Sequence, residues 1–155
     1  MKASTQIPTP LRIVLFSLLF LPSAWGEKAP YSDKQLEKTA THIVVGKVQA
    51  VYSYKERDGL PGFAYEYDRK VAEVKIDKIE KGKVQTGLIY VRYWSREWKG
   101  IGLPPPGGGS YWPQPKKGLT CRFYLAKNAY DGWSKGSQDG GYNVVYVNGI
   151  QPIKK

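Results

Sequence analysis

The stretch that decides the fold is HIVVGKVQAVYSY, residues 42–54. Apolar, small or aromatic side chains recur at every second position in it, and this is the period of a half-buried β-strand. The predicted strand would present one face made of Val44, Gly46, Val48, Ala50, Tyr52 and Tyr54. Because glycine has no side chain to pack, Gly46 inside this strand predicts a bulge or a sharp bend. The chain is therefore expected to be mainly β, with this long strand as its first.

Four more strands follow in the pattern. The charged residues 55–62 are expected to form a turn or hairpin loop, and a second strand would run from about Phe63 to Ile79. A shift of face near Val71 and Ala72 indicates that this second strand bends. The other strands are predicted around residues 88–93, around Leu119, Cys121, Phe123 and Leu125, and around Tyr142, Val144, Tyr146 and Ile150.

A short helix is predicted ahead of the first strand, at about residues 33–41. Ser32 and Gln35 have the spacing of a capping box, in which each side chain accepts a hydrogen bond from the backbone of the other residue. Leu36 and Ala40 lie on one face of this helix. That face is expected to dock on the strands.

Five strands, two of them long and bent, together with one short helix favour a five-stranded barrel of the OB type. A β-sandwich is the alternative. Residues 27–155 have the size of one domain and are expected to fold as a single unit. Residues 94–117 contain five prolines, three consecutive glycines and three tryptophans. This segment is expected to be a long irregular loop, because proline and glycine interrupt helices and strands.

Residues 1–26 have the pattern of a secretory signal peptide. Lys2 and Arg12 supply the positive start, and the apolar run at residues 13–21 is too short to span a bilayer. Small residues, Ala24 and Gly26, precede the expected cleavage site. The protein is therefore expected to be secreted or periplasmic, with no transmembrane segment after cleavage. An uncleaved membrane anchor is the alternative.

The chain is strongly basic. It has 24 lysines and arginines against 13 acidic residues, and loss of residues 1–26, which carry two bases and no acid, would leave 22 against 13, a net charge of +9. For an exported protein this charge indicates anionic partners such as acidic polysaccharide, an envelope surface with phospholipid headgroups, or an acidic protein. Nucleic acid is not expected to be the partner. The other interpretation is that the charge only keeps the protein soluble.

Two stretches carry a resemblance to a known family. ATHIVVGKV, residues 40–48, contains a strand that ends in Val-x-Gly-Lys-Val, and VAEVKIDKIEKG, residues 71–82, is a strand that closes on a Lys-Gly turn. Together they resemble the netrin-like, TIMP-like branch of the OB folds, and small uncharacterised exported bacterial proteins built on that pattern. The resemblance implies an OB-type fold. Metalloprotease inhibitors of this branch use an N-terminal cysteine held by disulfides, and this chain has one cysteine, so their mechanism carries over to no residue here.

Residues suited to catalysis are few. His42 is the single histidine, which excludes metal sites built from several histidines, and no triad pattern surrounds it. It is therefore expected to be structural. Cys121, the single cysteine, lies at an inward position of a predicted strand and is expected to be a buried thiol rather than an intermolecular disulfide.

Carboxylates are the other candidates, since glycoside hydrolysis needs only a pair of them. The candidates are Glu66, Asp68, Asp131 and Asp139. They are interspersed with lysines and arginines, which is typical of a solvated surface. The sequence therefore predicts no catalytic residue, no metal site and no cofactor.

Aromatic and basic side chains are most concentrated in the predicted loop, in WSREWK at residues 94–99 and in the aromatic and basic residues that follow it. Aromatic faces stack on sugar rings, while neighbouring cations bind carboxylate, sulfate or phosphate. The candidate ligand-binding residues are Trp94, Arg96, Trp98, Lys99, Tyr111, Trp112, Lys116 and Lys117. Trp98 and Trp112 would stack on the ligand. The alternative is that the tryptophans pack on the domain and only hold the loop in place.

The sequence thus favours an exported, non-enzymatic binding module that contacts an anionic polymer or another envelope component through residues 94–117. A protein-directed inhibitor or interaction domain that presents the Pro-Gly loop is the alternative. A small carboxylate-dependent hydrolase is a second alternative.

Overall fold

The computed structural model describes residues 29–104, 110–111, 113–127 and 141–153. The predicted signal peptide, Trp112, Asp131 and Asp139 lie outside the described residues. The elements of the described part are α1 (Asp33–Thr39), β1 (His42–Leu60), β2 (Phe63–Lys81), β3 (Leu88–Trp98), β4 (Thr120–Lys127), β5 (Tyr142–Val144) and β6 (Ile150–Pro152). The prediction of a mainly β chain with one short helix is confirmed for these residues. Within the same ranges, no helix has the length and apolar character needed to cross a membrane.

Five of the strands form a ring within one sheet. Their order is β1-β2-β3-β5-β4, and β4 pairs with β1 to complete the ring. The pairing of β3 with β5 is parallel, and the other pairings are antiparallel. β6 pairs with β4 only and so adds a short strand beside the ring. The described strands therefore belong to one sheet and not to the two facing sheets of a sandwich.

The pairing of β1 with β2 is irregular at the position that the sequence indicated. The register shifts between Val45 and Gly46, where the pairing skips Asp77 of β2. A Cβ added at Gly46 would lie only 2.5 Å from the carbonyl oxygen of Lys75 on β2. Two backbones therefore approach each other closely here, and glycine is the residue that permits the approach.

An extra residue in β1 overturns the predicted face of its second half. The pairing with β2 skips Gln49, so the next inward-facing side chain after Val48 is that of Val51, which packs on the core. Tyr52 and Tyr54 were expected to share the face of Val48, and this is wrong. Both of these tyrosines are more than half exposed.

β2 keeps its register over the stretch in which the sequence predicted a change of face. Its pairing with β3 is unbroken from Tyr65 to Lys75, and Ala64, Ala72 and Val74 are all buried on one face. The predicted change of face near Val71 and Ala72 is therefore wrong. The pairing of β1 with β2 skips residues elsewhere, Gln49 on β1 and Asp77 and Glu80 on β2.

The hairpin between β1 and β2 is longer than predicted. Residues 55–60 are strand rather than loop, and Leu60 pairs directly with Phe63. The turn has Pro61 followed by Gly62, whose φ is +83°. Proline at the first central position and a glycine with positive φ at the second are typical of a type II turn.

β3 also extends further than predicted. It runs to Trp98, so residues 94–98 are strand, and the irregular segment begins only at Lys99. Residues 54–69 of β1 and β2, together with residues 94–98 of β3, form a three-stranded extension that we call the ribbon.

The ring encloses the main hydrophobic core. Its buried residues are Val44, Val48, Ala72, Val74, Ile89, Val91, Tyr93, Tyr111, Cys121, Phe123, Leu125, Tyr142, Val144 and Ile150. Cys121 is a free, fully buried thiol, as predicted, and burial raises its pKa to about 11. Leu119 was expected to point inward with Cys121, but it precedes β4 and is 42% exposed.

The helix covers a second, smaller cluster. Leu36 and Ala40 pack there against Ile43, Tyr124 and Val145. The predicted capping box is present: the hydroxyl of Ser32 accepts from the backbone of Gln35, and the Gln35 side chain accepts from the backbone of Ser32. The helix docks by the face that the sequence predicted, although it ends at Thr39 rather than at Thr41.

The predicted fifth strand is two short strands, β5 and β6, separated by a turn. Tyr146 in that turn has a φ of +55°, so the extended backbone is interrupted there. Its ring stacks on Tyr31 at 3.9 Å between centroids. The turn therefore anchors the start of the helix instead of extending the sheet.

Candidate binding face

Antiparallel pairing separates the side chains of β2 and β3 onto two faces, because residues directly opposite each other point to the same side. Ala72 opposite Val91 and Val74 opposite Ile89 are buried, which identifies the inward face. Along the ribbon, the outward face of β2 carries Tyr65, Tyr67 and Arg69, and the outward face of β3 carries Trp94, Arg96 and Trp98. We call these six residues the aromatic–arginine face.

The rings of this face contact one another in a continuous row. Centroid distances are 4.9 Å for Phe63 and Trp98, 4.9 Å for Tyr65 and Trp98, 6.3 Å for Tyr65 and Tyr67, 5.8 Å for Tyr67 and Trp94, and 5.6 Å for Trp94 and Tyr111. Most of the contacts are edge-to-face or tilted, which is the favourable geometry for aromatic pairs. The row links the tip of the ribbon to the hydrophobic core, of which Tyr111 is a member.

Two arginines lie within the row. The guanidinium carbon of Arg96 is 4.3 Å from the ring centroid of Tyr65 and 6.0 Å from that of Trp94. The guanidinium carbon of Arg69 is 5.6 Å from the centroid of Tyr67, and its Nε donates to Glu56 at 2.6 Å. These contacts fix the positions of both cations on the outward surface.

Along the ribbon, carboxylates are absent from the outward positions of β2 and β3. Between residues 63 and 71 and between residues 88 and 98, these positions hold the three arginines Arg69, Arg92 and Arg96 and no acidic residue. Glu66, Asp68 and Glu97 take inward positions instead. On the edge strand β1, Glu56 and Asp58 are outward. Within the ribbon, the aromatic and cationic side chains of β2 and β3 are thus on the opposite face from the carboxylates of these strands; further along β2, Glu73 is outward, opposite Tyr90.

The inward carboxylates of the ribbon are held in ion pairs. Glu66 accepts from Lys55 at 2.7 Å, and Asp68 lies 3.0 Å from the ammonium nitrogen of Lys70. The hydrogen bond from Lys55 lowers the pKa of Glu66 below its ordinary value. A carboxylate that ionises more readily is poorly suited to act as a general acid near neutral pH.

Trp98 is held against the segment that follows it. A Cβ added at Gly100 would lie 2.0 Å from the indole ring, and the indole Nε1 donates to the carbonyl oxygen of Gly102 at 3.1 Å. The backbone of Lys99 donates to Ala64 at 2.9 Å, so the chain stays alongside β2 for one residue beyond β3. One side of the indole is therefore covered by the protein's own backbone.

The structure divides the residues that were predicted to form one site. Trp94, Arg96 and Trp98 come together on the aromatic–arginine face. Lys99 pairs with Glu97 at 2.7 Å. Trp112 lies outside the described residues, so its predicted stacking role stays a prediction.

Lys116 and Lys117 are not part of this face. They are exposed and precede Gly118, whose backbone donates to Val48 at 2.8 Å. Asp58, which pairs with Tyr65 of β2, lies ten residues from Val48 along β1. Ten residues of extended strand span about 33 Å. These two lysines therefore lie far from Trp98.

Tyr111 has a structural role, in agreement with the packing alternative for the loop. Its side chain is 4% exposed, and its hydroxyl donates to the carbonyl oxygen of Val144 at 3.2 Å. Its backbone donates to Trp94 at 3.2 Å, and the Ser110 hydroxyl accepts from the backbone of Arg96 at 3.1 Å. Residues 110–111 thus cover the edge of β3 that β5 leaves open.

Sequence reasoning missed the contribution of β2 to the face. Tyr65, Tyr67 and Arg69 were read as strand residues and not as site residues. A signal was present, since FAYEYDR, residues 63–69, places large side chains at every second position, as does WSREW, residues 94–98. Only the register between the two strands makes them one surface.

Neither the single histidine nor the described groups of metal-ligating side chains form a further site. The Nδ1 of His42 lies 2.8 Å from the Thr41 hydroxyl, and its ring packs edge-on against Tyr142 at 5.1 Å, so His42 has a structural environment. Among the residues that the structure describes, no group of three or more side chains could hold a metal ion. A cavity of about 540 Å³ lies at the start of β3, lined by residues 83–86 and 88–90 together with Lys127, Gly141 and Tyr142, and it shares no residue with the aromatic–arginine face.

No family model, no curated protein and no solved structure matches the chain. The function is therefore inferred from the aromatic–arginine face itself.

Proposed function

We propose that the protein is an exported, non-enzymatic binding module that binds an acidic polysaccharide across the aromatic–arginine face. The domain would be an OB-type barrel of the netrin-like branch, which the ring of five strands supports. In OB folds the face formed by strands 2 and 3 commonly binds oligosaccharides and oligonucleotides. Export is inferred from the signal-like residues 1–26.

The observation that carries the proposal is the separation of charge between the two faces of β2 and β3. A sugar ring packs on an aromatic ring by its apolar face, and a guanidinium binds a carboxylate or sulfate through two parallel hydrogen bonds. Trp94 and Trp98 are four residues apart on one strand, about 13 Å, with Arg96 between them. Rings and cations therefore alternate over a length that spans more than one sugar unit.

The form of the face favours a polymer over a small molecule. Small ligands bind in concave pockets that cover most of their surface, whereas these side chains line one side of a sheet. Fixed arginines lower the entropic cost of binding, because their side chains are already ordered by the rings.

The test uses residues 27–155, which contain every described residue. Intrinsic tryptophan fluorescence is titrated with a polyuronate and with a neutral glucan of equal length, at low and physiological salt. The proposal predicts saturable binding of the polyuronate that weakens with salt, and little binding of the glucan. Equal binding of both polymers, or no binding, would contradict it.

A matched pair of variants locates the binding. Trp98→Ala removes a ring from the row and should weaken polyuronate binding by about tenfold or more, since stacking contributes about 1–3 kcal/mol. Tyr90→Ala is the control, because Tyr90 is also outward on β3 and is 49% exposed but belongs to no ring contact of the row. It should bind as the parent protein does. Trp98→Ala also loses the ring contacts with Phe63 and Tyr65, so its thermal unfolding midpoint is expected to fall by several degrees, and binding is measured well below that midpoint.

A protein-directed interaction domain remains the second candidate, and one observation favours it. Ile101 and Leu103, at the start of the Pro-Gly segment, are 87% and 92% exposed. Binding of a protein partner by such apolar residues would survive moderate salt, unlike polysaccharide binding through arginine.

A further inference from the structure

The cavity at the start of β3 lies at a gap in the ring of strands. β5 begins at Tyr142, which pairs with Val91 of β3, so residues 88–90 of β3 have no neighbour from β5. The end of β4 lies across the gap, because Lys127 pairs with Tyr142. The cavity has a volume of about 540 Å³. Cavities that bind small molecules commonly have volumes of about 300–1,000 Å³.

Part of the cavity lining is apolar and is held in place by the core. Val84, Leu88, Ile89 and Tyr142 contribute this part of the lining. Ile89 and Tyr142 are buried members of the main core, and the ring of His42 packs edge-on against Tyr142. Leu88 is 38% exposed, so the cavity also presents apolar surface that solvent reaches. A ligand would therefore meet a preformed apolar wall, as is usual in small-molecule sites.

Two lysines line the same cavity. Lys83 and Lys127 are both exposed, and neither ammonium group forms an ion pair or a hydrogen bond with another described residue. Lys78, further back on β2, differs in this respect, because it pairs with Glu80 at 3.3 Å. Among the described residues that line the cavity, none is acidic. The two ammonium groups are thus available to an anion bound in the cavity.

The charged groups beside the cavity leave its positive character intact. The guanidinium of Arg92 lies against Gly141, a lining residue, because a Cβ added at Gly141 would lie 2.5 Å from its Nη2. One carboxylate is near, that of Glu73, which β2 places opposite Tyr90 of the lining. Glu73 accepts from the hydroxyl of Tyr52 at 3.4 Å and does not itself line the cavity.

Cations and apolar wall together restrict the kind of ligand. An inorganic anion would pair with the lysines but would leave the apolar wall in contact with water. A neutral apolar molecule would cover the wall but would gain nothing from the two ammonium groups. A molecule that carries an acidic group on an apolar body satisfies both parts of the lining. The volume of the cavity suits such a small molecule rather than a polymer.

We propose that this cavity binds a small organic anion with an apolar body. Its carboxylate or sulfonate group would pair with Lys83 and Lys127, and its hydrocarbon part would pack on Leu88, Ile89 and Tyr142. This inference does not depend on polysaccharide binding, because the cavity and the aromatic–arginine face have no residue in common.

The test titrates residues 27–155 with anilinonaphthalene sulfonate, a fluorescent anion with an aromatic body. Saturable binding at one site is expected, with an affinity about fivefold or more above that of phenylnaphthylamine, which has the same rings and no sulfonate. Decanoate or naphthoate should displace the probe, and which of the two does so distinguishes an aliphatic from an aromatic ligand. Polyuronate should not displace it.

Lysine variants locate the binding. Lys83→Gln with Lys127→Gln should lower affinity for the sulfonate about fivefold or more and leave affinity for the neutral probe unchanged. The matched control is Lys116→Gln with Lys117→Gln, which removes the same charge elsewhere on the domain and should bind like the parent. An equal loss in the two pairs would mean that the probe responds only to net charge, and would overturn the proposal.

A further variant should strengthen binding, an effect that misfolding would not produce. Gln85 lines the cavity and is exposed, so Gln85→Lys adds a third cation and should raise affinity for the sulfonate about two- to fivefold. Leu60→Ser with Ile101→Ser removes exposed apolar side chains at the tip of the ribbon and should change nothing. Other outcomes would also overturn the proposal: no saturable binding, equal affinity for the neutral probe, displacement by polyuronate or by neither carboxylate, no gain from Gln85→Lys, or a loss in the Leu60 and Ile101 variant.

Discussion

The guanidinium carbon of Arg96 lies 4.3 Å from the centroid of the Tyr65 ring on the neighbouring strand. The two residues are adjacent on the outward face of the ribbon, where Tyr65 also contacts Trp98. A cation held over an aromatic face keeps its charge while losing side-chain freedom. This relationship fixes the position of the cation on the ribbon, and the proposed binding of an anionic polymer rests on it.

Tyr111→Phe should reduce stability without changing polysaccharide binding. The variant loses the buried hydrogen bond to the Val144 carbonyl oxygen and leaves that oxygen unsatisfied, which costs about 1–3 kcal/mol. Urea denaturation measures the loss as a lower midpoint. If polyuronate binding disappeared while the midpoint stayed the same, Tyr111 would be a ligand contact and its structural assignment would be wrong.

Gly46→Ala should destabilise the domain by about 1–3 kcal/mol, the usual cost of overpacking. The new Cβ would lie 2.5 Å from the Lys75 carbonyl oxygen, a backbone atom that side-chain motion cannot move away. Gly87→Ala is the control, because no heavy atom lies within 4 Å of its added Cβ. Thermal unfolding of the two variants compares them directly, and equal midpoints would contradict the close approach of β1 and β2.

The Cys121 thiol should be unreactive in the folded protein. It is fully buried, and its pKa of about 11 keeps it protonated at pH 8, whereas the thiolate is the reactive form. Labelling with a disulfide reagent at pH 8 is expected to be slow in buffer and fast in 8 M urea. Fast labelling of the native protein, or a disulfide-linked dimer on a non-reducing gel, would refute a buried thiol.

The ion pair between Glu80 and Arg122 should make stability depend on pH. Arg122 donates to Glu80 at 2.8 and 3.2 Å, and this hydrogen bonding lowers the pKa of Glu80 below its ordinary 4.5. A lowered carboxyl pKa contributes stability that is present above about pH 4.5 and is lost as the pH falls through the folded-state value. The Arg122 side chain is 40% exposed, so the contribution is expected to be below about 1 kcal/mol.

Glu80→Gln tests this pair. The free energy of unfolding of the variant should lie slightly below that of the parent at pH 7, and the difference should shrink as the pH falls below 4.5 through the folded-state pKa of Glu80. A difference that did not change with pH would mean that the two side chains stabilise the fold by packing and not by charge.

Features that depend on neighbouring residues in the chain were predictable. The capping box of Ser32 and Gln35 and the glycine at the first bulge are local signals, and both were identified from sequence. The end of β3 was missed although WSREW has the period of a strand, because the prolines and glycines that follow suggested a loop. Edge pairing by β2 and residues 110–111 stabilises that strand, and such pairing is not encoded locally.

Register is the other quantity that the sequence did not supply. No glycine in the sequence indicates the bulge at Gln49, and this bulge places Tyr52 and Tyr54 on the opposite face from the predicted one. In the same way, Tyr65 and Arg96 are 31 positions apart, and only the pairing of β2 with β3 makes them neighbours. The sequence identified the β3 residues of the candidate face but not its β2 residues. It also grouped Lys116 and Lys117 with them, and the structure places these two lysines far from Trp98.

The most direct test of the account compares two pairs of charge-neutralising substitutions by the salt dependence of polyuronate affinity. Arg69→Gln with Arg96→Gln removes two cations from the aromatic–arginine face, whereas Lys116→Gln with Lys117→Gln removes two that precede Gly118, far from this face. The account predicts that the arginine pair lowers affinity at least tenfold and reduces the slope of log affinity against log salt by about two, while the lysine pair leaves both nearly unchanged. A larger loss from the lysine pair, or no loss from the arginine pair, would contradict binding on this face.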